Sequence, residues 1–302
     1  MTNFLLLAIV GLIAQLVDGS LGMAYGVTSQ SLLLTIGIAP ALASASVHIA
    51  EVGTTAASGV SHWRFKNVDW AKVWPLAIPG AIGAFFGAVV VSSFITAEAA
   101  EPIVAIFLFG LGVFVLARFS FRRHERPVQV RPVSRGFLAP LGLIAGFLDA
   151  AGGGGWGPIS TPTLLSSGRM QPRKIIGTVS GSEFIVAIAA SAGFLLALGS
   201  AGIDGGIVAM MLLGGAIAAP LSAWLVSRMN DQVLGTGVGG LIIFLNVDRV
   251  LSLFGVDQSV GLGIRIVVAI AAVLVIGWLS LRNRSRSAAA TAGSQPAWTS
   301  NP

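Results

Sequence analysis

Gln15, Asp18, His48, Glu51, Asp149 and Glu183 stand inside runs built otherwise mainly from Leu, Ile, Val, Ala and Gly. A carboxyl group in hydrocarbon is costly, so such residues mark a substrate or ion path before they mark a stabilising device. His48 and Glu51 are three apart and share one face of a helix, with Ser44 and Thr55 extending the stripe a turn each way. An imidazole beside a carboxyl trades protons near neutral pH, which suits a proton-coupled carrier; a polar contact between spans would use the same pair. Asp18 and Asp149 stand just before two glycine-bearing stretches. There they either cap the following half-helix or touch substrate or protons directly.

The second of these stretches, Asp149 through Pro162, holds glycine at 152, 153, 154, 155 and 157. Five glycines in six residues break a helix, and Pro158, Ser160 and Thr161 then read as a new helix start. Non-helical backbone at membrane depth survives where protein or water covers it, so a broken helix is a candidate substrate site. The half-helix starts Gly26-Val27-Thr28-Ser29-Gln30 and Gly157-Pro158-Ile159-Ser160-Thr161 aim free N–H groups and positive dipole ends inward, an arrangement that favours an anion. The candidate substrate-binding set is Asp18, Gly22, Tyr25, Gly26, Thr28, Ser29, Gln30, His48, Glu51, Asp149, Gly153, Gly154, Trp156, Gly157, Ser160, Thr161, Ser180 and Glu183. No metal or cofactor site is assigned.

These residues must be positioned by membrane helices. The 302 residues are 55% hydrophobic and 10% charged, with a mean hydropathy of +0.87, the composition of a polytopic α-helical membrane protein. With no cysteine, disulfides and thiolate metal sites are excluded. The excess of Lys and Arg is confined to short loops, which argues for membrane orientation over nucleic-acid binding. Met1-Thr2-Asn3 lacks a basic n-region, so the start reads as mature sequence.

The chain repeats itself. Residues 11–18 match 142–149, Tyr25-Gly26 matches Trp156-Gly157, Pro40 matches Pro172, Glu51 matches Glu183, and Val68-Asp69 matches Ile203-Asp204. The second copy keeps the acid of the His48–Glu51 pair and replaces the imidazole with Ser180. The expected organisation is a first membrane repeat over 1–118, a basic cytoplasmic linker over 119–135, a second repeat over 136–254, a final helix within 255–281 and a disordered cytoplasmic tail over 282–302.

Each half opens with a segment too short to cross: residues 4–17 give a helix of about 21 Å against a hydrocarbon core of about 30 Å. Re-entrant hairpins leave full spans near 40–60, 73–94, 102–118, 175–198, 205–227, 232–254 and 261–281. Loops 61–72, 118–135, 168–174, 228–231 and the tail then share one side, with sixteen of the eighteen basic residues. The positive-inside bias selects this arrangement, with the N-terminus out, the C-terminus cytoplasmic and the halves inverted. Asp69 and Asp204 read as helix N-caps, His62 and Trp63 as interfacial anchors beside Arg64 and Lys66, and Asp248 and Arg249 as a pair near the outer end of a span.

Gly146-Phe147-Leu148 leading into the glycine cluster, Pro162-Thr163-Leu164-Leu165, Gly177-Thr178 and Val68-Asp69-Trp70 resemble the TauE/SafE sulfite exporter family over nearly all of 4–281. In the first half the glycine cluster is replaced by Ser20-Leu21-Gly22-Met23-Ala24-Tyr25-Gly26. The resemblance implies a bacterial inner-membrane carrier of small sulfur-containing anions such as sulfite, sulfonates or organosulfur acids. No Walker-type motif is present, so an ion gradient, with protons as the coupling ion, would drive it. A cation or metal-ion carrier using the carboxyls and His48 is the alternative. An intramembrane enzyme is disfavoured, with no nucleophile elbow and no two-histidine zinc helix. Beyond lipid, substrate and protons, no nucleic acid is expected as a partner, and glycine faces such as Gly80, Gly83 and Gly87 allow close helix packing either within the protomer or between two copies.

Overall fold

A computed structural model describes residues 4–26, 28–29, 33, 40–93, 101–120, 133–152, 155–198 and 204–293. Ten helices are bounded among them: α1 (Phe4–Leu21), α2 (Pro40–Arg64), α3 (Trp70–Ser93), α4 (Glu101–Ser120), α5 (Arg135–Gly152), α6 (Trp156–Ser167), α7 (Pro172–Leu198), α8 (Gly205–Arg228), α9 (Asp231–Leu253) and α10 (Gln258–Gly293). No strand occurs among the described residues, as expected of an all-α polytopic membrane protein whose backbone must satisfy itself away from water. Short polar side chains start several helices. Asp69 Oδ1 accepts from the Ala71 amide at 3.1 Å, Asp204 Oδ1 from Gly206 at 2.8 Å and Ile207 at 3.2 Å, and Asn230 Oδ1 from Gln232 at 2.8 Å.

Five helices, α1, α3, α7, α8 and α9, are long and apolar enough to cross a bilayer by length and composition. Helix α2 falls outside that group because it carries buried Ser46, His48, Glu51, Thr54, Thr55, Ser58 and His62 along its length. Helix α1 is longer than the expected 4–17: it continues through Asp18 and Gly19 to Leu21, where Gly19 lies directly against Ser222 of α8. Helix α10 likewise runs past 281 to Gly293, through a stretch rich in Ala and Arg that contains no glycine or proline until its last residue.

The helix pairs are close because small residues face backbone. Gly11 rests on the Met211 backbone and Gly214 on Ala8, so α1 runs beside α8 in the same direction as far as the Gly19–Ser222 contact. Gly142 and Gly146 rest on Leu76 and Gly80, and Gly87 on Phe147, so α5 runs beside α3 in the same direction. Helix α2 packs on α8 and α7 on α3, α2 on α7 across the centre, and α4 on α9. Exchanging α1, α2, α3 and α4 for α5, α7, α8 and α9 leaves this set of pairs unchanged. At the centre the partners run antiparallel: Gly59 faces Gly181, while the Ser191 hydroxyl donates to the His48 carbonyl at 3.4 Å.

One end of the molecule gathers the basic loops. Lys174 Nζ donates to the carbonyls of Lys66 at 2.8 Å and Val68 at 3.2 Å, Arg118 donates to Ser166 O at 2.7 Å, and the Arg169 guanidinium sits 6.0 Å from the Phe137 ring centre. The last of these joins the start of α5 to the residues just after α6. Helix α6, with 12 residues and so about 18 Å long, therefore brings the chain back to the face from which α5 entered.

Two readings change. His62 is fully buried rather than an interfacial anchor. Its Nε2–H donates to the Gly19 carbonyl at 2.9 Å and its Nδ1 accepts from Asn67 Nδ2 at 3.1 Å, a group that also donates to Ala223 O at 2.9 Å. Trp63 remains exposed. Asp248 pairs with Arg265 of α10 at 2.7 Å rather than with the adjacent Arg249, because neighbours in a helix point to different faces.

A Cβ at Gly146 would sit on the Gly80 carbonyl oxygen, whereas one at Gly110 would meet nothing within 4 Å. Gly146→Ala should therefore cost about 1–3 kcal/mol by forcing two backbones apart, and Gly110→Ala should be neutral or slightly stabilising. Thermal unfolding of the two variants in detergent checks the contrast.

Candidate functional site

The site lies where the two helix breaks meet. The first break is made by Gly22 at φ 69° and Ala24 at φ 80°, after which Tyr25, Gly26, Thr28 and Ser29 are helical again. Ala24 is a left-handed non-glycine residue, a strained choice, at the position where the second copy has Gly155. The breaks touch directly: the Thr161 hydroxyl donates to the Gly22 carbonyl at 2.6 Å, and Gly157 lies against Gly22 and Met23 so closely that no side chain fits there.

Each break is preceded by its aspartate, now seen in the last turns of α1 and α5. Asp149 Oδ1 accepts the Trp156 amide at 2.8 Å, capping α6 from the previous helix. In the first half the Tyr25 amide faces Asp18 in the same way but without the full geometry of a hydrogen bond, and both carboxyl oxygens of Asp18 are buried. Asp18 lies within electrostatic reach of Glu51 and Asp149, and Glu183 within reach of Asp18, Glu51 and Asp149. His48 Nδ1 is 3.6 Å from Glu51 Oε2, and its ring packs on Phe194 with centroids 4.9 Å apart.

The polar residues around this junction divide by what their atoms do. Trp156 donates its indole N–H to Val179 O at 3.2 Å, Ser29 donates to Tyr25 O at 2.6 Å, and Thr55 donates to Glu51 O at 2.6 Å, so these groups hold the frame. By contrast, the Tyr25, Ser160 and Ser180 hydroxyls, the Gln15 amide and Glu183 Oε2 are buried with no hydrogen-bond partner. Gly26 is buried and Thr28 partly so. Gln30, Gly153 and Gly154 lie outside the described residues, as does the side chain of Ser44. Sequence reasoning missed Ser58, another buried hydroxyl without a partner; its spacing of seven from Glu51 was the available signal. It also missed Thr161 as the tie between the two breaks, for which no sequence signal exists.

The arrangement provides uncommitted neutral donors beside carboxyls, inside the protein at a depth set by two half-helix starts. Buried polar groups left unpaired are destabilising by about 1–3 kcal/mol each, so water or a ligand belongs among them.

Replacing Thr161 with Val removes the bond to Gly22 and should lower stability by about 1 kcal/mol. Ala24→Gly should raise it by a similar amount, about 1 kcal/mol, by relieving the left-handed alanine. Detergent unfolding curves for both variants test this account of the junction.

A family model described as Sulfite exporter TauE/SafE matches residues 7–248, a span that takes in both breaks and every carboxyl of the site. A curated relative, "Probable membrane transporter protein YtnM" of Bacillus subtilis (strain 168), is 51% identical over 254 residues, covering 83% of this chain and 84% of that protein. No solved structure matches the chain. The chain is thus a multi-pass membrane transporter, not an enzyme, and belongs to the TauE/SafE sulfite exporter family.

Proposed function

We propose that this transporter moves a small sulfur-containing anion, sulfite, a sulfonate or an organosulfur acid, together with protons, through the cavity between the two breaks. The carrying observation is that neutral donors at the junction, Ser160, Ser180, Tyr25 and Gln15, are buried without partners among carboxyls. Such donors suit an oxyanion. Ionised carboxyls do not: at an effective dielectric constant of about 20, a carboxylate about 6 Å from a monoanion repels it by roughly 3 kcal/mol. Anion binding therefore favours protonated carboxyls, and proton uptake accompanies substrate uptake into the site.

The packing supports two oppositely oriented halves, since equivalent helices α2 and α7 cross antiparallel and α1 and α5 each run beside the other half's second full span. Rocking of one half on the other would expose the junction alternately. In the plasma membrane the basic end and C-terminus face the cytoplasm, with the N-terminus outside. A cation carrier is less well supported: among the described residues no three acidic or histidine side chains are placed to hold a metal ion.

The test is flux of sulfite and simple sulfonates into proteoliposomes, with and without a pH gradient. Wild type should transport faster with acid on the substrate side, and Glu51→Gln should flatten that dependence by about tenfold, the scale of one coupling interaction. Unchanged pH dependence removes Glu51 from the coupling role. Thermal stabilisation by a divalent cation and not by these anions would favour the cation reading.

A further inference from the structure

Resting on the proton-coupled reading above, we infer that the two repeat-related aspartates have separate duties: Asp18 is the carboxyl that takes up and releases the coupling proton, and Asp149 is the fixed cap of the second break. Four differences between the halves carry this. Asp149 has its Oδ1 on the Trp156 amide at 2.8 Å, whereas neither oxygen of Asp18 has a partner. Trp156 uses its one polar atom on Val179 O, whereas the Tyr25 hydroxyl at the matching position is buried beside Thr54 and reaches no backbone carbonyl. One helical turn before Asp18, Gln15 presents an amide with both ends unpartnered; the corresponding residue before Asp149 is Gly146, packed on the Gly80 carbonyl. Finally, the first break holds Ala24 in a left-handed conformation, whereas Gly155 at the matching position is right-handed at φ −99°.

The second break is thus a completed structure and the first an unfinished one. A carboxyl that is buried, unbonded and distant from any Lys or Arg is tolerable only when neutral or when joined by something mobile. The ionisable groups facing Asp18 are Tyr25 from its own hairpin, Glu51 from α2, Asp149 from α5 and Glu183 from α7. Helix α8, packed along α1, has no ionisable side chain before Arg228. His62 of α2 also reaches the Gly19 carbonyl next to Asp18, with both ring nitrogens engaged, and no Lys or Arg is among these neighbours, so no fixed cation holds the Asp18 proton off.

The experiment uses the full chain in proteoliposomes with sulfite and with a sulfonate, whose own charge does not change across the pH range tested. Asp149→Asn keeps an oxygen for the Trp156 amide; whatever it does to the overall rate, the ratio of uptake with and without the pH gradient should stay within about twofold of wild type. Asp18→Asn should lower that ratio about tenfold or more. As a measurement needing no variant, a hydrophobic carbodiimide, which reacts with protonated carboxyls, should label Asp18 in membranes and leave Asp149 unlabelled by peptide mass spectrometry. Loss of pH drive in Asp149→Asn with retention in Asp18→Asn, or labelling of Asp149 in preference to Asp18, overturns the assignment. Absence of pH-driven uptake of either anion in wild type would instead overturn the coupling reading beneath it.

Discussion

The hydrogen bond from Thr161 to the Gly22 carbonyl, with Gly157 pressed on Met23, is the contact on which the site depends. Two stretches of non-helical backbone are stable away from water only if something completes their hydrogen bonding and excludes lipid. Here each break does part of that for the other. The Gly22 carbonyl, freed by the end of α1, is taken by a side chain from α6, and the absence of a Cβ at Gly157 lets the chains come near enough for it. The junction is then a product of two helix ends that need each other.

That meeting requires the long helices to deliver both breaks to one depth, and the molecule does so with small residues. In lipid there is little hydrophobic drive between helices, so close backbone approach supplies the attraction. Gly142 and Gly146 seat α5 on α3, and Gly11 and Gly214 seat α1 on α8. Each half's opening helix is thereby carried by the second full span of the other half. Neither hairpin has its principal support within its own repeat, which makes the pair of repeats, rather than one of them, the unit that folds.

The long apolar runs, the glycine break, the repeat and the charge distribution of the loops were legible in the chain because each is a local or periodic property. Spans near 205–227 and 232–254 correspond to helices Gly205–Arg228 and Asp231–Leu253, and Asp69 and Asp204 are caps as their positions suggested. What was not legible depends on packing between distant residues. Helix α1 outlasts residue 17 because Ser222, some 200 residues later, covers Gly19. His62 resembled an interfacial residue beside Arg64 and Lys66, yet the Gly19 carbonyl and Asn67 give it two buried partners. Asp248 found Arg265 on another helix in place of the residue next to it. Within the candidate site, residue types gave the set but not the division between atoms already bonded, as in Ser29 and Trp156, and atoms left over, as in Ser160 and Ser180.

That division has an energetic meaning. A protein built only for stability would pair or remove such groups, since an apolar replacement is often neutral while an unpaired polar atom is not. The chain does pair them elsewhere: Asn67 ties His62 to Ala223, Asp204 caps α8, and Arg118 closes on the end of α6. Uncommitted atoms also occur elsewhere, as at Ser46 and Asn246, but Gln15, Asp18, Ser160, Ser180 and Glu183 bring several of them to the helices that converge at the breaks. On the reading proposed above, an entering solute would supply the missing partners of these atoms and its departure would remove them. A carrier needs that reversibility, because a site whose polar atoms were satisfied by protein alone would have nothing left to offer a substrate.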